Sequence, residues 1–340
     1  AAGQAVLIQR NGNVAFDVTD LVHPDVAATV SLAARIVGLD IAGVDLVAED
    51  ISRPLDEQRG AIVEVNAGPG LLMHLKPASG EPRPVGRAIV DSLFPEGDNG
   101  RIPIVGITGT NGTNLVARLL AFLLHLSGKR AGLACSDGLY HDQRLIEKGN
   151  RATWAAGRKV LLNRVTEAAV FENGSDMILS EGLAYDRCQV GVVTDIDPAR
   201  HFGKYYIETP DQVFNVLRTQ VDVVLPDGVA VLNGNDTMVT EMAPLCDGEV
   251  IFFGTDPDIP GIAGHLTQGK RAVLVRNDFV VLATGNEELR LIEVSGIMLA
   301  GVGIAEMRIE NVLAAAGAAW ALGLPPELIR AGIETFSANQ

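Results

Sequence analysis

The sequence predicts an α/β protein in two parts: a small α+β piece over residues 1–98, followed by a domain with a mostly parallel sheet. The chain contains 37 glycines but only 5% aromatic residues, which fits tight turns between strands and helices better than an all-β sandwich. From residue 101 onward, short apolar runs alternate with helical segments. One of these runs leads directly into a glycine-rich loop and then a helix.

The first part carries signals for short strands and one helix. Its predicted strands cover residues 5–9, 14–18, 42–48 and 60–66. The first two are predicted to pair around the Asn11-Gly12 turn. Residues 24–37 have the periodicity of a helix, and the proline and glycine residues between positions 82 and 100 mark the approach to a new unit.

The second part is predicted to consist of strand–helix–strand units. Its buried-strand runs cover residues 102–108, 168–171, 190–194, 229–232 and 250–253. Its predicted helices cover residues 113–127, 211–221, 311–322 and 326–336. Strands separated by helices imply a parallel sheet, whereas residues 272–294 alternate like antiparallel hairpins. We assign residues 99–310 to the sheet domain, and residues 311–340 to its helical end and the start of a further unit.

Composition and charge exclude several classes of function. Hydrophobic residues make up 47% and charged residues 20%, as in a globular protein with a normal core. A formal charge of −15 argues against a nucleic-acid partner, because phosphate backbones are bound by clusters of Lys and Arg. The apolar run 119–124 is far shorter than the ~20 residues that span a bilayer. The three scattered cysteines, Cys135, Cys188 and Cys246, fit a reducing cytoplasm rather than a zinc or disulfide framework.

Two of the predicted strands carry oxygen-bearing side chains. Glu64 and Asn66 lie two residues apart in one strand and therefore project from the same face. If the strand that holds Asp45 is a neighbour, three oxygen ligands converge, which suits Mg²⁺ bridging the phosphates of ATP. Taken alone, such side chains are more often just the polar face of a strand.

The glycine-rich loop, residues 106–112 with the sequence GITGTNG, lies between a predicted strand and a predicted helix. Such a loop lets backbone N–H groups surround a phosphate at a helix N-terminus. A dinucleotide-binding fold requires G-x-G-x-x-G and an acidic residue about 20 positions later. The spacing here differs, so the loop favours a phosphate site of another kind.

The first part resembles the end of the ATP-grasp domain of the cyanophycin synthetase family. Two segments carry this resemblance: GLDIAGVDLV at residues 38–47 and GAIVEVNAGPG at residues 60–70. It implies that Asp45, Glu64 and Asn66 hold the magnesium ions of ATP. Leu72 stands where the family usually has Arg, a departure that affects substrate contacts.

The second part resembles the muramyl-ligase-like half of the same family, whose phosphate loop is G-T-N-G-K-T. Four segments carry this resemblance: SDGLY, LSEGLAYDRCQVGVVTDIDPARHFG, AVLNGND and ENVLAAAGAAWALGLP. It implies that Glu172 binds magnesium and that His201 lies beside the metal, and we assign both as catalytic residues. The nucleotide-binding residues that it implies are Gly109, Thr110, Asn111, Gly112, Thr113, Asn233, Asp236 and Asn311.

The loop departs from the family where its chemistry matters. Thr113 replaces the lysine that contacts the β- and γ-phosphates, and Asn114 replaces the threonine that contacts Mg²⁺. Losing a charge-assisted phosphate contact costs roughly 1.5–3 kcal/mol in binding. Leu217 and Arg308 also replace a family Lys and Asn, and a Thr-Gly-Pro segment is missing after Gly149. These departures predict impaired magnesium–phosphate chemistry, and a structural relic is the alternative interpretation of the loop.

The resemblance covers nearly the whole chain and implies an amide ligase that uses ATP and Mg²⁺. Such an enzyme would join aspartate and arginine, free or as dipeptides, into the polymer cyanophycin through acyl phosphates. We expect a cytoplasmic homo-oligomer without nucleic-acid or membrane partners. We also expect a fragment of a longer protein, because the chain lacks an initiator Met and opens on a predicted strand. A non-catalytic scaffold or oligomerisation module is the alternative, and a dinucleotide-binding oxidoreductase is a more distant one.

Overall fold

A computed structural model of the chain describes residues 14–94, 96–197, 199, 203–297 and 308–337. The chain divides into two compact units, with the boundary between Arg101 and Ile102. The predicted strand at residues 5–9 and the Asn11-Gly12 turn lie outside the described residues. The three-part domain division proposed from the sequence stays a prediction.

The first unit contains a two-stranded antiparallel sheet and short helices. Its helices are α1 (Pro24–Val37), α2 (Leu72–Leu75) and α3 (Val85–Leu93), and its strands are β1 (Gly43–Val47) and β2 (Ala61–Asn66). Pro24 at the first helical position and Gly38 in the left-handed region, with φ +83°, fix the ends of α1, as predicted from its periodicity. The predicted strand at residues 14–18 is wrong: Phe16 forms a single bridge with Ser79.

The described part of the second unit contains one sheet of 11 strands. The strands are β3 (Ile104–Thr108), β4 (Ala131–Cys135), β5 (Gly138–His141), β6 (Arg144–Lys148), β7 (Ala168–Glu172), β8 (Cys188–Val193), β9 (Val224–Asn233), β10 (Glu249–Gly254), β11 (Arg271–Arg276), β12 (Phe279–Thr284) and β13 (Glu287–Glu293). Their order is β13-β12-β11-β10-β9-β8-β3-β7-β4-β5-β6. From β11 to β4 all neighbours are parallel, which confirms the predicted mostly parallel sheet.

Antiparallel hairpins extend the sheet at both edges. β11, β12 and β13 form the hairpins predicted for residues 272–294. Asn277 and Asp278 connect β11 to β12 with φ values of 49° and 63°, the positive pair that a type I′ turn requires. Asp142 and Gln143 connect β5 to β6 in the same way, with φ values of 46° and 69°.

Helices cover both faces of this sheet. They are α4 (Thr113–Leu126), α5 (Trp154–Leu162), α6 (Ser175–Ser180), α7 (Pro210–Leu217), α8 (Thr219–Asp222), α9 (Thr237–Thr240), α10 (Pro260–Thr267), α11 (Ile309–Ala321) and α12 (Pro326–Thr335). α4, α11 and α12 bury their apolar residues on one face, and α5, α7, α8 and α10 on the other. Within the described parts of the chain, no helix combines the length and the apolarity that crossing a bilayer demands.

One predicted helix is divided in the structure. Residues 211–221 were expected to form a single helix, but α7 ends at Leu217 and α8 starts at Thr219. The Val221 N–H donates to the Arg218 carbonyl, a three-residue spacing that tightens the backbone at this point. The capping box of Thr209 and Gln212 fixes the start of α7.

The position of β3 determines where a ligand can bind. All five of its residues are buried, and it lies between β7 and β8. Because these strands are parallel, their carboxyl ends meet at one edge of the sheet. The glycine loop leaves β3 at that edge, where open α/β sheets bind their ligands.

Candidate functional site

Two glycines allow the glycine loop to pack closely against neighbouring segments. Gly109 and Gly112 have φ values of +149° and +75°, a region that other residues rarely adopt. A Cβ atom on Gly109 would overlap the Thr194 hydroxyl, and one on Gly112 would overlap the Asn311 carboxamide. The loop ends at the N-terminus of α4, whose first N–H groups have no partner inside the helix. Residues 109–113 therefore form a cradle of the kind that binds phosphate.

Glu172, at the end of β7, is held by groups from two other segments. It is 9% exposed, and its Oε1 accepts a hydrogen bond of 2.8 Å from the Thr113 hydroxyl. Its Oε2 accepts from the Ser136 N–H at 2.6 Å and from Asn114 Nδ2 at 3.4 Å. The structure thus brings together the predicted magnesium ligand and the two loop residues that replace the family's Lys and Thr. Neutral groups therefore donate these hydrogen bonds to the Glu172 carboxylate, and Thr113 occupies the position at which the family has a lysine.

Asp195 reaches the loop from the other side, directly after β8. Its Oδ1 accepts hydrogen bonds from the backbone N–H groups of Thr110 at 3.0 Å and Asn111 at 2.8 Å. Its Oδ2 accepts from Asn111 Nδ2 at 2.6 Å. Sequence reasoning missed this residue. Its position immediately beyond the carboxyl end of a buried parallel strand was the available signal.

A cleft of about 410 Å³ opens beside the loop, at the ends of β8 and β9. Its lining residues are Asp195, Ile196, Asn233, Asn235, Asp236, Thr237, Met238, Arg308 and Glu310. Asn233 donates to the Thr194 carbonyl at 2.7 Å. Asp236 accepts from the Ile196 N–H at 2.7 Å and caps α9 through the Met238 N–H at 2.9 Å. Asn233 and Asp236, both predicted to bind nucleotide, therefore hold the wall of the cleft in place and line the cleft.

The start of α11 packs against the glycine loop. Asn311 is 4% exposed and lies against Gly112, so this predicted nucleotide residue contacts the loop itself. Arg308 is the basic residue in the cleft lining, 3.7 Å from the Glu310 carboxylate. His201, the other predicted catalytic residue, lies outside the described residues.

A buried polar cluster supports the loop from within the sheet. Asn173 Nδ2 donates to the Tyr185 hydroxyl and to Gln220 Oε1, both at 2.7 Å, and the Tyr185 hydroxyl donates to Gln220 Oε1 at 2.8 Å. The Asn173 backbone carbonyl accepts from the Thr108 hydroxyl at 2.9 Å, at the end of β3. Burial raises the pKa of Tyr185 well above its usual value, so its hydroxyl stays protonated as a donor.

The first unit brings its three predicted ligands onto one face. β1 pairs with β2, so that Asp45 lies opposite Glu64 and Gly43 opposite Asn66. Asn66 Nδ2 is 3.5 Å from Asp45 Oδ2. Among the residues for which the structure gives positions, no group of three or more His, Cys, Asp and Glu side chains could hold a metal. The Asn66 amide directs its nitrogen and not its oxygen at Asp45, so the magnesium site of Asp45, Glu64 and Asn66 stays a prediction.

Comparisons with known proteins match this architecture. The family model described as the Mur ligase middle domain matches residues 107–319. The cyanophycin synthetases of Synechocystis sp. and Crocosphaera subtropica are both 40% identical to this chain, over 96% and 99% of its length. The chain spans 38% and 39% of those two relatives. A solved structure of UDP-N-acetylmuramoyl-L-alanyl-D-glutamate–2,6-diaminopimelate ligase shares the fold, with a TM-score of 0.53 and 16% identity over 74% of this chain and 49% of that one.

Proposed function

Because the chain belongs to the family of Mur ligase middle domains, we propose that it forms part of an ATP-dependent amide ligase. The observation that carries this proposal is the glycine loop at the carboxyl edge of the parallel sheet, with Glu172 on one side and the cleft on the other. This arrangement suits a nucleotide whose phosphates lie on the loop and whose base enters the cleft. The relatives are named as synthetases and a ligase, which does not favour a non-catalytic scaffold.

The proposed reaction has two steps. A carboxylate oxygen of the first substrate attacks the γ-phosphorus of ATP, which releases ADP and leaves an acyl phosphate. The amine nitrogen of the second substrate then attacks the acyl carbon, phosphate departs, and the nitrogen loses a proton. Backbone N–H groups at the start of α4 would stabilise negative charge on the phosphate oxygens. Glu172 would hold Mg²⁺, which would neutralise the negative charge that develops on the transferred phosphate.

The names of the relatives point to the product. We propose that the whole protein synthesises cyanophycin, the product that these names state, and that its building blocks are aspartate and arginine, as the resemblance of the sequence implies. The first unit would be the end of an ATP-grasp domain. Asp45 and Glu64, opposite each other on β1 and β2, would hold the Mg²⁺ of its ATP together with Asn66.

The glycine loop of this chain is expected to bind ATP weakly. Thr113 and Asn114 supply neutral groups to Glu172, so no cation of the loop faces a phosphate. Calorimetric titration of Mg·ATP into the chain tests this, beside the double variant Thr113→Lys, Asn114→Thr. The double variant should bind at least about tenfold more tightly, because it restores a charge-assisted contact to phosphate.

Thr267→Lys is the matched control, since it adds the same charge on the exposed surface of α10. Its affinity for Mg·ATP should equal that of the native chain. Absence of nucleotide binding by all of these proteins would overturn the proposed site. In the family that the sequence resembles, the muramyl-ligase-like half adds arginine. Arginine incorporation by the full-length protein that Glu172→Ala abolishes would therefore contradict the proposed impairment of this half.

A further inference from the structure

Two backbone N–H groups of the glycine loop already bind an anionic side chain of the protein itself. Thr110 and Asn111 both direct their backbone N–H groups at Oδ1 of Asp195, at 3.0 and 2.8 Å. The Asn111 side chain adds a third hydrogen bond, to Oδ2 at 2.6 Å. Backbone and side-chain N–H donors of this kind are the groups with which loops bind anions. The loop therefore binds a negative charge without any ligand.

The segment after β8 is attached to the loop at further points. The Thr194 hydroxyl donates to the Asn111 carbonyl at 2.8 Å, and the Asp195 carbonyl accepts from the Thr110 N–H at 3.2 Å. The Asp197 N–H donates to the Thr110 hydroxyl at 3.0 Å. These contacts fix the backbone of Asp195, so its carboxylate stays at the loop unless the side chain rotates away.

The two carboxylates beside the loop affect how the loop would bind a phosphate. Glu172 lies at one side of the loop and Asp195 at the other, and residue 113 is Thr. A triphosphate that enters the loop meets two carboxylates and no lysine from the loop itself. Two like charges a few ångströms apart repel each other, and the repulsion is stronger near a protein surface than in bulk water.

We propose that Asp195 sets the affinity of the loop for phosphate by occupying the position of an anionic ligand, an inference that rests on the nucleotide site proposed above. The phosphate chain gains the N–H groups of Thr110 and Asn111 only when the Asp195 side chain moves aside. Asp195 is thus a specificity-determining residue that acts through the loop, and a neutral residue of the same size at this position increases the affinity for polyphosphates.

Asp195→Asn separates charge from shape, because the amide keeps an acceptor oxygen for the two backbone N–H groups. Asp195→Ala is the second variant: it frees the Asn111 N–H and leaves the Thr110 N–H only its hydrogen bond to the backbone carbonyl of residue 195. Asp197→Asn is the matched control: it removes the same charge two residues away, from a carboxylate that accepts from the Ala199 N–H rather than from the loop. Melting temperatures establish that each protein is folded before its binding is compared.

Calorimetric titration with Mg·ATP and with inorganic pyrophosphate gives the readout on the whole chain. Both Asp195 variants should bind both probes about tenfold more tightly than the native chain, the effect of removing a like charge a few ångströms from phosphate. Asp197→Asn should change the affinity clearly less, because the Asp197 carboxylate accepts from the Ala199 N–H and does not occupy the N–H groups of the loop. Equal gains in Asp195→Asn and Asp197→Asn would overturn the inference, because net charge alone would then explain them.

The remaining outcomes separate this inference from the function on which it rests. Native binding of Mg·ATP that neither Asp195 variant improves would overturn the role of Asp195 and leave the nucleotide site standing. Failure of every variant, including Thr113→Lys, Asn114→Thr, to bind either probe would overturn both. Tighter binding of pyrophosphate but not of Mg·ATP by Asp195→Asn would support the role of Asp195 and count against the cleft as the site of the base.

Discussion

Replacing Tyr185 by phenylalanine removes one oxygen atom from the polar cluster beneath the glycine loop. Tyr185 is 8% exposed, and its partners Asn173 and Gln220 are 2% and 0% exposed. Its hydroxyl accepts from Asn173 Nδ2 at 2.7 Å and donates to Gln220 Oε1 at 2.8 Å. The ring stacks on Phe171, with centroids 5.3 Å apart, and phenylalanine keeps that contact. The substitution therefore isolates the two hydrogen bonds.

The size of the effect follows from what remains satisfied. Asn173 Nδ2 keeps its hydrogen bond of 2.7 Å to Gln220 Oε1, so neither partner becomes wholly unpaired. A buried hydrogen bond contributes about 0.5–1.5 kcal/mol, and an unsatisfied buried group costs about 1–3 kcal/mol. We expect Tyr185→Phe to lower the free energy of unfolding by about 2 kcal/mol. In a domain of this size that corresponds to a decrease of roughly 4–8 °C in melting temperature.

Urea unfolding followed by circular dichroism measures this difference. Tyr206→Phe is the matched control, because Tyr206 is 82% exposed and its hydroxyl is solvated in both states. The control should unfold with the native free energy, within about 0.5 kcal/mol. If Tyr185→Phe were equally neutral, the cluster would not contribute to stability, and the argument that it supports the loop would fail.

Two further predictions concern titratable groups outside the loop. Hydrogen bonds from the Arg130 side chain hold the pKa of Glu167 at about 2, below its ordinary 4.5. This pair therefore stabilises the fold above about pH 4.5, and its contribution is lost as the pH falls toward 2. The melting-temperature difference between the native chain and Arg130→Ala should shrink between pH 5 and pH 2, by a small amount because both side chains are half exposed. A constant difference would refute the stabilising role of this pair. Burial raises the pKa of all three cysteines, to about 11 for Cys135 and about 12 for Cys188. Because Cys246 is partly exposed and the other two are buried, iodoacetamide at pH 8 should modify Cys246 alone in the folded chain, as peptide mass spectrometry can show. Rapid native modification of Cys135 or Cys188 would contradict this.

Buried parallel strands were predictable because their signal is local. The run IVGIT of β3 is apolar up to its last residue, and all five residues are buried, as in a strand covered on both faces. The alternation in residues 272–294 likewise matched the hairpins of β11 to β13. α1 was predicted with its observed bounds from the periodicity of its apolar residues, and in the structure Pro24 and Gly38 fix its two ends.

Other elements lack such a signal. β4, with the sequence AGLAC, carries small residues that do not distinguish a strand from a loop, yet all five are buried in the sheet. Gly132 at its second position permits the close approach of Val160 from α5, a contact that depends on the fold and not on the local sequence. The hairpin of β5 and β6 turns at Asp142 and Gln143, a pair without the glycine that usually marks such turns.

The contacts of the candidate site were also beyond the reach of sequence patterns. Glu172 and Thr113 were both predicted as site residues, but not that they would hydrogen-bond to each other across 59 positions. The contact between Asp195 and Asn111 joins residues 84 positions apart, and it depends on β8 lying next to β3. Spacing rules describe one loop at a time, whereas these contacts follow from strand order.

The internal hydrogen bonds bear on whether the loop is a relic or a working part. Neutral donors satisfy Glu172, and backbone N–H groups satisfy Asp195, so the loop does not need a nucleotide to balance its buried charges. Substitutions at Thr113 or Asp195 disturb these internal bonds whether or not ATP ever binds. Loss of stability in such variants therefore cannot distinguish a relic from a nucleotide site. A gain in affinity for polyphosphate that Asp195→Asn shows and Asp197→Asn does not can distinguish them, because the change in net charge is the same in both variants and only Asp195 occupies the N–H groups of the loop.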